Sequence, residues 1–237
     1  MQIKRAILKL SGEILKGSQD SGLDTEFVSF LCDEIVEACS LGVQLALVIG
    51  GGNFVRGSKL EKLGIDRATG DYMGMLATVI NSLAIQSTLE AKGLPTRVMS
   101  AIEIRQVCEP YIRRRAIRHL EKNRVVIFAA GLGSPFFTTD TVASLRALEI
   151  GADLVIKGTK VDGIYTVDPE VGQGQKLDEV SYNYFLLNNL RVLDSTAVSL
   201  SKDFQVPIVV LKISEKGNLV KLLKGERIGS LITSGTA

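Results

Sequence analysis

Runs of buried-strand character recur along the chain at residues 5–10, 43–49, 97–99, 125–129, 154–156 and 208–211, with helix-period patterns between them. Strands that are apolar along their length are buried on both faces, and strands separated by helices pair in parallel. The pattern predicts an α/β fold whose mainly parallel sheet is covered by helices on both sides. The 237 residues, 46% of them hydrophobic, suffice for a sizeable core, as one domain or two closely packed lobes. A first helix is expected from Asp24 as N-cap, with Phe27, Leu31, Ile35 and Ala38 on its apolar face. A long helix should open at Asp71 and carry Met75, Val79, Leu83 and Ile85.

Several classes of function are disfavoured. No apolar run approaches the roughly 18–20 residues of a membrane span, and the start of the chain lacks a signal-peptide pattern, so a soluble cytoplasmic protein is expected. Cys32, Cys39 and Cys108 show no C-x-x-C spacing, which argues against a disulfide framework or a zinc site. His119 is the only histidine and lies in a basic stretch, a poor place for the base of a nucleophilic triad. The net charge of +2 neither demands nor excludes an anionic partner. The segment 111–124 concentrates Arg113, Arg114, Arg115, Arg118, Lys122 and Arg124. It lacks the interleaved aromatics that stack on bases, and it reads as a solvated helix face over Ile112, Ala116, Ile117 and Leu120.

In open α/β sheets ligands collect beyond the carboxyl ends of the strands. Lys9, Ser11 and Gly12 end the first run, and Gly50, Gly51, Gly52 and Arg56 follow the second. The segments 131–140, GLGSPFFTTD, and 157–168, KGTKVDGIYTVD, follow two others. The glycine loop fits neither common phosphate template. The dinucleotide fingerprint would need a glycine at Val55, a P-loop would need a lysine after its second glycine, and in 12–18 that lysine position is Ser18.

Phosphoryl transfer needs backbone N–H groups, Lys or Arg, and a carboxylate more than it needs covalent catalysis, and these strand ends supply them. Lys9 is placed to bridge two phosphates or, as a strand-end lysine, simply to be exposed. Gly51 and Gly52 offer N–H groups free of side chains, or form a tight left-handed turn. Thr138 or Thr139 should cap a helix, with Asp140 either stabilising its first turn or, as a site residue, orienting Lys9 or holding Mg²⁺. Asp71 reads as a helix cap or as an acceptor for sugar hydroxyls.

The order of ILKLSGE, VIGGGNFVRG, GDYMGMLATV, GSPFFTTD and IKGTKVDGIYTVDP resembles the bacterial-type UMP kinases of the amino acid kinase family, over almost the whole chain. The resemblance implies a three-layer α/β/α sandwich, conversion of UMP and ATP to UDP and ADP with Mg²⁺, and a homohexamer without membrane or nucleic-acid partners. It implies one domain, with an acceptor part over about 1–150 and an ATP part over about 151–237. Lys9, Leu10, Ser11 and Gly12 would surround the ATP phosphates, and Gly52 and Arg56 would face the phosphates of the reacting pair. Thr159, Tyr165 and Asp168 match positions at the adenosine end. Gly51 and Asp71 would meet UMP, Asp71 at the ribose. Leu132, Gly133, Ser134, Pro135, Phe136, Phe137, Thr138 and Thr139 would wrap its base and phosphate. Asp140 corresponds to the catalytic carboxylate that organises the lysines, with Lys157 as the second cation.

The chain departs from the family pattern T-G-N-P-F-F-T-T-D, having Leu132 and Ser134 in place of the Thr and the Asn. Leu132 therefore offers no side-chain hydrogen bond to a base. Other readings of the same fold remain open at this point: a nucleotide-sensing or oxyanion-storage protein without transfer activity, or a kinase for another small acceptor.

Overall fold

The computed structural model describes residues 3–55, 60, 62–167, 172 and 174–235. The strands are β1 (Arg5–Leu10), β2 (Gln44–Ile49), β3 (Thr96–Ser100), β4 (Glu109–Pro110), β5 (Val125–Ala129), β6 (Leu154–Thr159), β7 (Ile164–Tyr165), β8 (Lys176–Leu177), β9 (Glu179–Ser181), β10 (Ile208–Lys212) and β11 (Ser230–Thr233). The helices are α1 (Gly12–Leu15), α2 (Thr25–Ser40), α3 (Arg67–Ala91), α4 (Arg113–Glu121), α5 (Thr139–Ile150), α6 (Tyr182–Leu187), α7 (Ser195–Asp203) and α8 (Asn218–Leu223). Nine strands form one sheet in the order β4-β3-β5-β2-β1-β6-β10-β11-β9, and only the β10–β11 pair is antiparallel. The hairpin β7–β8 stands apart from it.

Every strand-like run of the sequence is a strand of this sheet. Successive side chains of a strand point to opposite faces. Ala6, Leu8 and Leu10 of β1 accordingly join one core with α2, α3 and α8, while Ile7 joins the other with α4, α5, α6 and α7. This makes the expected three layers. The strands before residue 150 lie on one side of the β1–β6 seam together with β1, and β6, β10, β11 and β9 lie on the other.

Helix α2 begins as expected: the Asp24 carboxylate accepts the Phe27 N–H at 3.0 Å, and Leu31, Ile35 and Ala38 are fully buried. Cys32 is in this core and Cys39 is partly buried beside it. Burial pushes both thiols up to about 12, so neither is a nucleophile at neutral pH. In α4, Ala116 and Leu120 are buried beneath exposed Arg113, Arg114, Arg115 and Arg118. Ile112, expected on the apolar side, is instead the exposed N-cap residue. No helix among the described residues is long and apolar enough to cross a membrane.

Helix α3 corrects a second expectation. It starts four residues before Asp71, and Asp66 is its cap, accepting the Thr69 N–H at 3.1 Å. Gly70 and Gly74 weaken the helical signal of the first turns, which is why the start is read too late from the sequence. The close packing is at Gly51: a Cβ added there would lie 2.5 Å from the Gly74 carbonyl oxygen and 2.8 Å from the Ala77 Cβ. Glycine at 51 lets the loop after β2 rest directly on this helix.

Candidate active site

Parallel pairing of β1 with β6 sets Lys9 directly beside Lys157. Both follow a residue of the second core by two positions, Ile7 and Val155, so both point to the face that α5 covers. Helix α5 arrives there with its N-terminus. Thr138 is its N-cap, accepting the N–H groups of Asp140 and Thr141, and Asp140 stands in its first turn. Lys9 Nζ lies 2.8 Å from Asp140 Oδ1 and Lys157 Nζ 2.6 Å from Oδ2. All three side chains are almost wholly buried, so Lys9 is not the exposed strand-end lysine that was the alternative.

Burial alone would raise the Asp140 pKa, but Lys9 and Lys157 outweigh it and hold the carboxylate below its ordinary value. Lys157 is pushed down to about 8, first by burial and then by Lys9, with Asp140 opposing. Each oxygen of the carboxylate faces one ammonium group, which fixes the spacing of the two lysines. Among the described residues no three Asp, Glu, His or Cys side chains converge as a metal site.

The glycine loop after β2 is not a left-handed turn. None of Gly50, Gly51 and Gly52 has a positive φ. Their requirement is close approach: a Cβ at Gly12 would lie 2.6 Å from both Gly50 O and Gly52 N, and one at Gly51 would strike α3. Gly50 N donates to Leu10 O at 2.8 Å, and Gly51 O accepts the N–H groups of Phe54 and Val55. Among the described residues the Gly51 and Gly52 N–H groups have no hydrogen-bond partner. Leu10 contributes backbone only, since its side chain is core; Ser11 caps α1, accepting the Glu13 N–H.

A cleft of about 200 Å³ opens over this loop. Of the residues expected around UMP it is lined by Gly51, Asp71, Leu132, Ser134, Phe137 and Thr139, and Gly52 also reaches it. Gly133, Pro135, Phe136 and Thr138 do not line it; Thr138 is turned to the Asp194 carboxylate. Asp71 is not a cap. Its carboxylate pairs with Arg67 Nε at 2.9 Å and accepts the Phe136 N–H at 2.7 Å. Phe136 has a φ of 73°, unusual for a bulky residue, so Asp71 fastens a strained point of the 131–137 loop to α3.

A second, more open cavity of about 560 Å³ is lined by Asp140 and Lys157 together with Arg191 and Asp194. Of the buried trio, Asp140 and Lys157 line this second cavity, while the first cleft reaches only as far as Thr139, the residue before Asp140. Asp194 caps α7 through the Ala197 N–H and accepts the hydroxyls of Thr138 and Thr141, joining two helix N-termini beside Lys157. Sequence reading missed it, although Asp before Ser-Thr-Ala-Val is an ordinary cap signal. Thr159 accepts the Val161 N–H, and the Tyr165 hydroxyl donates to Asp162 at 2.7 Å. Neither residue lines either cavity. Arg56 and Asp168, expected at the phosphates and the adenosine, lie outside the described residues.

The family model described as the amino acid kinase family matches residues 4–212. A uridylate kinase of Methylococcus capsulatus is 55% identical over 233 residues, covering 98% of each chain. Among solved structures, UMP kinase from Bacillus anthracis superposes with a TM-score of 0.97 at 36% identity, covering 100% of this chain and 98% of that one. UMP kinase from Ureaplasma parvum gives 0.91 at 33% identity, covering 98% and 100%. The chain belongs to the amino acid kinase family, as its motif order implied.

Proposed function

We propose that this chain transfers the γ-phosphoryl group of ATP to UMP, giving UDP and ADP. The observation that carries the reading is the Asp140 carboxylate shared by two buried lysines on the neighbouring strands β1 and β6, with Asp140 and Lys157 lining the second cavity. An anionic oxygen of the UMP phosphate attacks the γ-phosphorus, and the bond to the β–γ bridging oxygen breaks, leaving that oxygen on ADP. The attacking oxygen already carries charge, so no proton has to be removed. What the transfer needs is cations across both phosphates, held so that they do not relax into water. Lys9 and Lys157 supply them and Asp140 fixes their spacing. Mg²⁺ held mainly by the ATP phosphates themselves would supply further neutralisation of their charge.

The first cleft suits UMP, with the free N–H groups of Gly51 and Gly52 at its floor and Asp71 at its wall. Lys9, Leu10, Ser11, Gly12, Thr159 and Tyr165 are assigned to ATP by resemblance, and the division into an acceptor part and an ATP part follows the β1–β6 seam. Such an enzyme serves pyrimidine nucleotide synthesis in the cytoplasm. A homohexamer is favoured by the exposed apolar row Tyr72, Leu76 and Ile80 along α3, which self-association would cover. An assay of ADP release across UMP, CMP, acetylglutamate and aspartate should give turnover with UMP far above the rest. Turnover with another acceptor and none with UMP would overturn the reading.

Two further results are expected. The cation on Lys157 is lost above its pKa of about 8, so kcat/KM should fall on the basic side with an inflection near pH 8. Bound phosphates favour the ammonium form, so the limb in kcat should lie higher. A flat profile from pH 7 to 10 would remove Lys157 from the chemistry. At the sugar, Asp71 Oδ1 accepts only from Arg67 among the described residues and keeps a lone pair free, while Oδ2 accepts from both Arg67 and Phe136, and a site built around hydroxyls rejects the analogue lacking one. UMP should be strongly preferred to dUMP in kcat/KM, and Asp71→Asn should narrow that ratio. An unchanged ratio in the folded variant would leave Asp71 as a loop fastener only.

A further inference from the structure

Asn53 ends the glycine loop and Asn81 lies in the middle of α3, and both side chains are buried. Their amides pair reciprocally: Asn53 Nδ2 donates to Asn81 Oδ1 at 2.9 Å, and Asn81 Nδ2 donates to Asn53 Oδ1 at 2.7 Å. The second proton of each amide goes to a backbone carbonyl. Asn81 Nδ2 reaches Gly50 O at 2.7 Å, and Asn53 Nδ2 reaches Gly22 O at 2.8 Å. Carbonyls only accept, so both amide orientations are fixed by chemistry. The Asn53 backbone is engaged as well, its carbonyl accepting the Gly22 N–H at 3.1 Å.

All four amide protons are thereby used inside the protein, with nothing left to bind a ligand. What the pair does is hold the Gly50 carbonyl towards α3 and set the loop's height against Gly12, whose Cβ position lies 2.7 Å from Asn53 Oδ1. With the Gly50 and Gly51 carbonyls both turned to internal donors, the N–H groups of Gly51 and Gly52 are left without a partner among the described residues, in two residues that line the cleft. We propose that Asn53 and Asn81 are positioning residues for phosphoryl transfer, a reciprocal amide clamp that aims the loop's N–H groups at the phosphates. This rests on the reading of the cleft as the phosphate site. The bland alternative is a clamp that merely adds stability. A displacement of about 1 Å in groups that place reacting atoms costs on the order of 10²-fold in rate, so the two roles separate in kcat.

The test compares Asn81→Ala, Asn53→Ala and the double variant with Ser82→Ala. Ser82 is a buried neighbour on α3 whose hydroxyl bonds only to Thr78 O, away from the loop. Each Asn variant should lose about 10²-fold in kcat while the dissociation constants of UMP and ATP, measured by calorimetry, move less than about threefold. The double variant should be little worse than either single one, since removing one amide already breaks the pair. Ser82→Ala should lower Tm and leave kcat near normal. If Asn81→Ala does not fold, Asn81→Asp keeps the volume, removes the donor to Gly50 O and carries the same expectation. Asn variants that lose stability but keep wild-type kcat overturn the inference, and so do additive losses in the double variant. A wild-type chain that makes no UDP overturns the proposed function and takes the clamp with it. Wild-type turnover with unaffected Asn variants overturns the clamp alone.

Discussion

Asp140→Asn is expected to lower kcat by about 10³-fold or more, while UMP and ATP still bind. The amide keeps the volume of the carboxylate but removes the only anion between two lysines that are cross-strand partners. Taking one member from a buried charge cluster typically costs about 3–5 kcal/mol, because the remaining charges stay buried without compensation. This site has an escape that limits the cost. Lys157 already sits near 8, and without Asp140 only the weaker attraction of Asp194 opposes burial and the repulsion from Lys9. Lys157 then gives up its proton, the fold survives, and one of the two cations facing the phosphates is gone. The basic limb of kcat/KM should therefore move below pH 8, with activity partly recovered on acidification. Stability should also lose its pH dependence at the acid end. The depressed pKa of Asp140 means that its ion pairs stabilise the fold above the ordinary carboxylate range and are lost as pH falls through the lowered value. If nucleotide binding disappears along with turnover, Asp140 serves the structure of the cleft rather than the transfer.

The parts of this arrangement differ in how far the sequence reveals them, and the reasons are physical. Strands β1 and β5 are readable to the residue because a strand buried on both faces is a nearly continuous apolar run. Within such a run Lys9 is conspicuous, and its strand-end position makes it a site candidate. That it stands beside Lys157 is not readable, because parallel register is set by two strands, β1 and β6, that lie far apart in the sequence. The short strands β4, β7, β8 and β9 carry two or three residues each, too few for any period to show. Gly51 was legible as a close-approach glycine, but what it approaches is helix α3, and only the tertiary packing shows this. Thr78, Asn81 and Ser82 were the overlooked signal. They lie at i, i+3 and i+4, with Ile85 at i+7, which puts polar side chains on the buried face of a long helix. Polar groups there must bond to something, and their partners are Ala130 N, Gly50 O and the backbone of the helix itself.

Lys9→Met should also abolish most turnover, by at least about 10²-fold, with opposite side effects. The methionine side chain has similar length and enters a position bordered by the core of Ile7, Val48 and Val155, so the fold should tolerate it. The Asp140–Lys157 pair remains, and Lys157 is freed from the second of the two influences that depress it. Its pKa should rise, carrying the basic limb of the residual activity above pH 8. A lysine with a less depressed pKa also costs the folded state less at neutral pH, so Tm should hold or increase. The pair of variants thus gives a signature that a merely structural cluster does not share: two large losses of turnover with limbs displaced in opposite directions, downward for Asp140→Asn and upward for Lys9→Met. The measurement is kcat/KM for UMP from pH 6 to 10 on both folded variants, with Tm recorded alongside. Near-normal turnover in Lys9→Met would remove that lysine from the mechanism, and limbs moving in the same direction would break the electrostatic coupling on which the assignment of Asp140 as organiser depends.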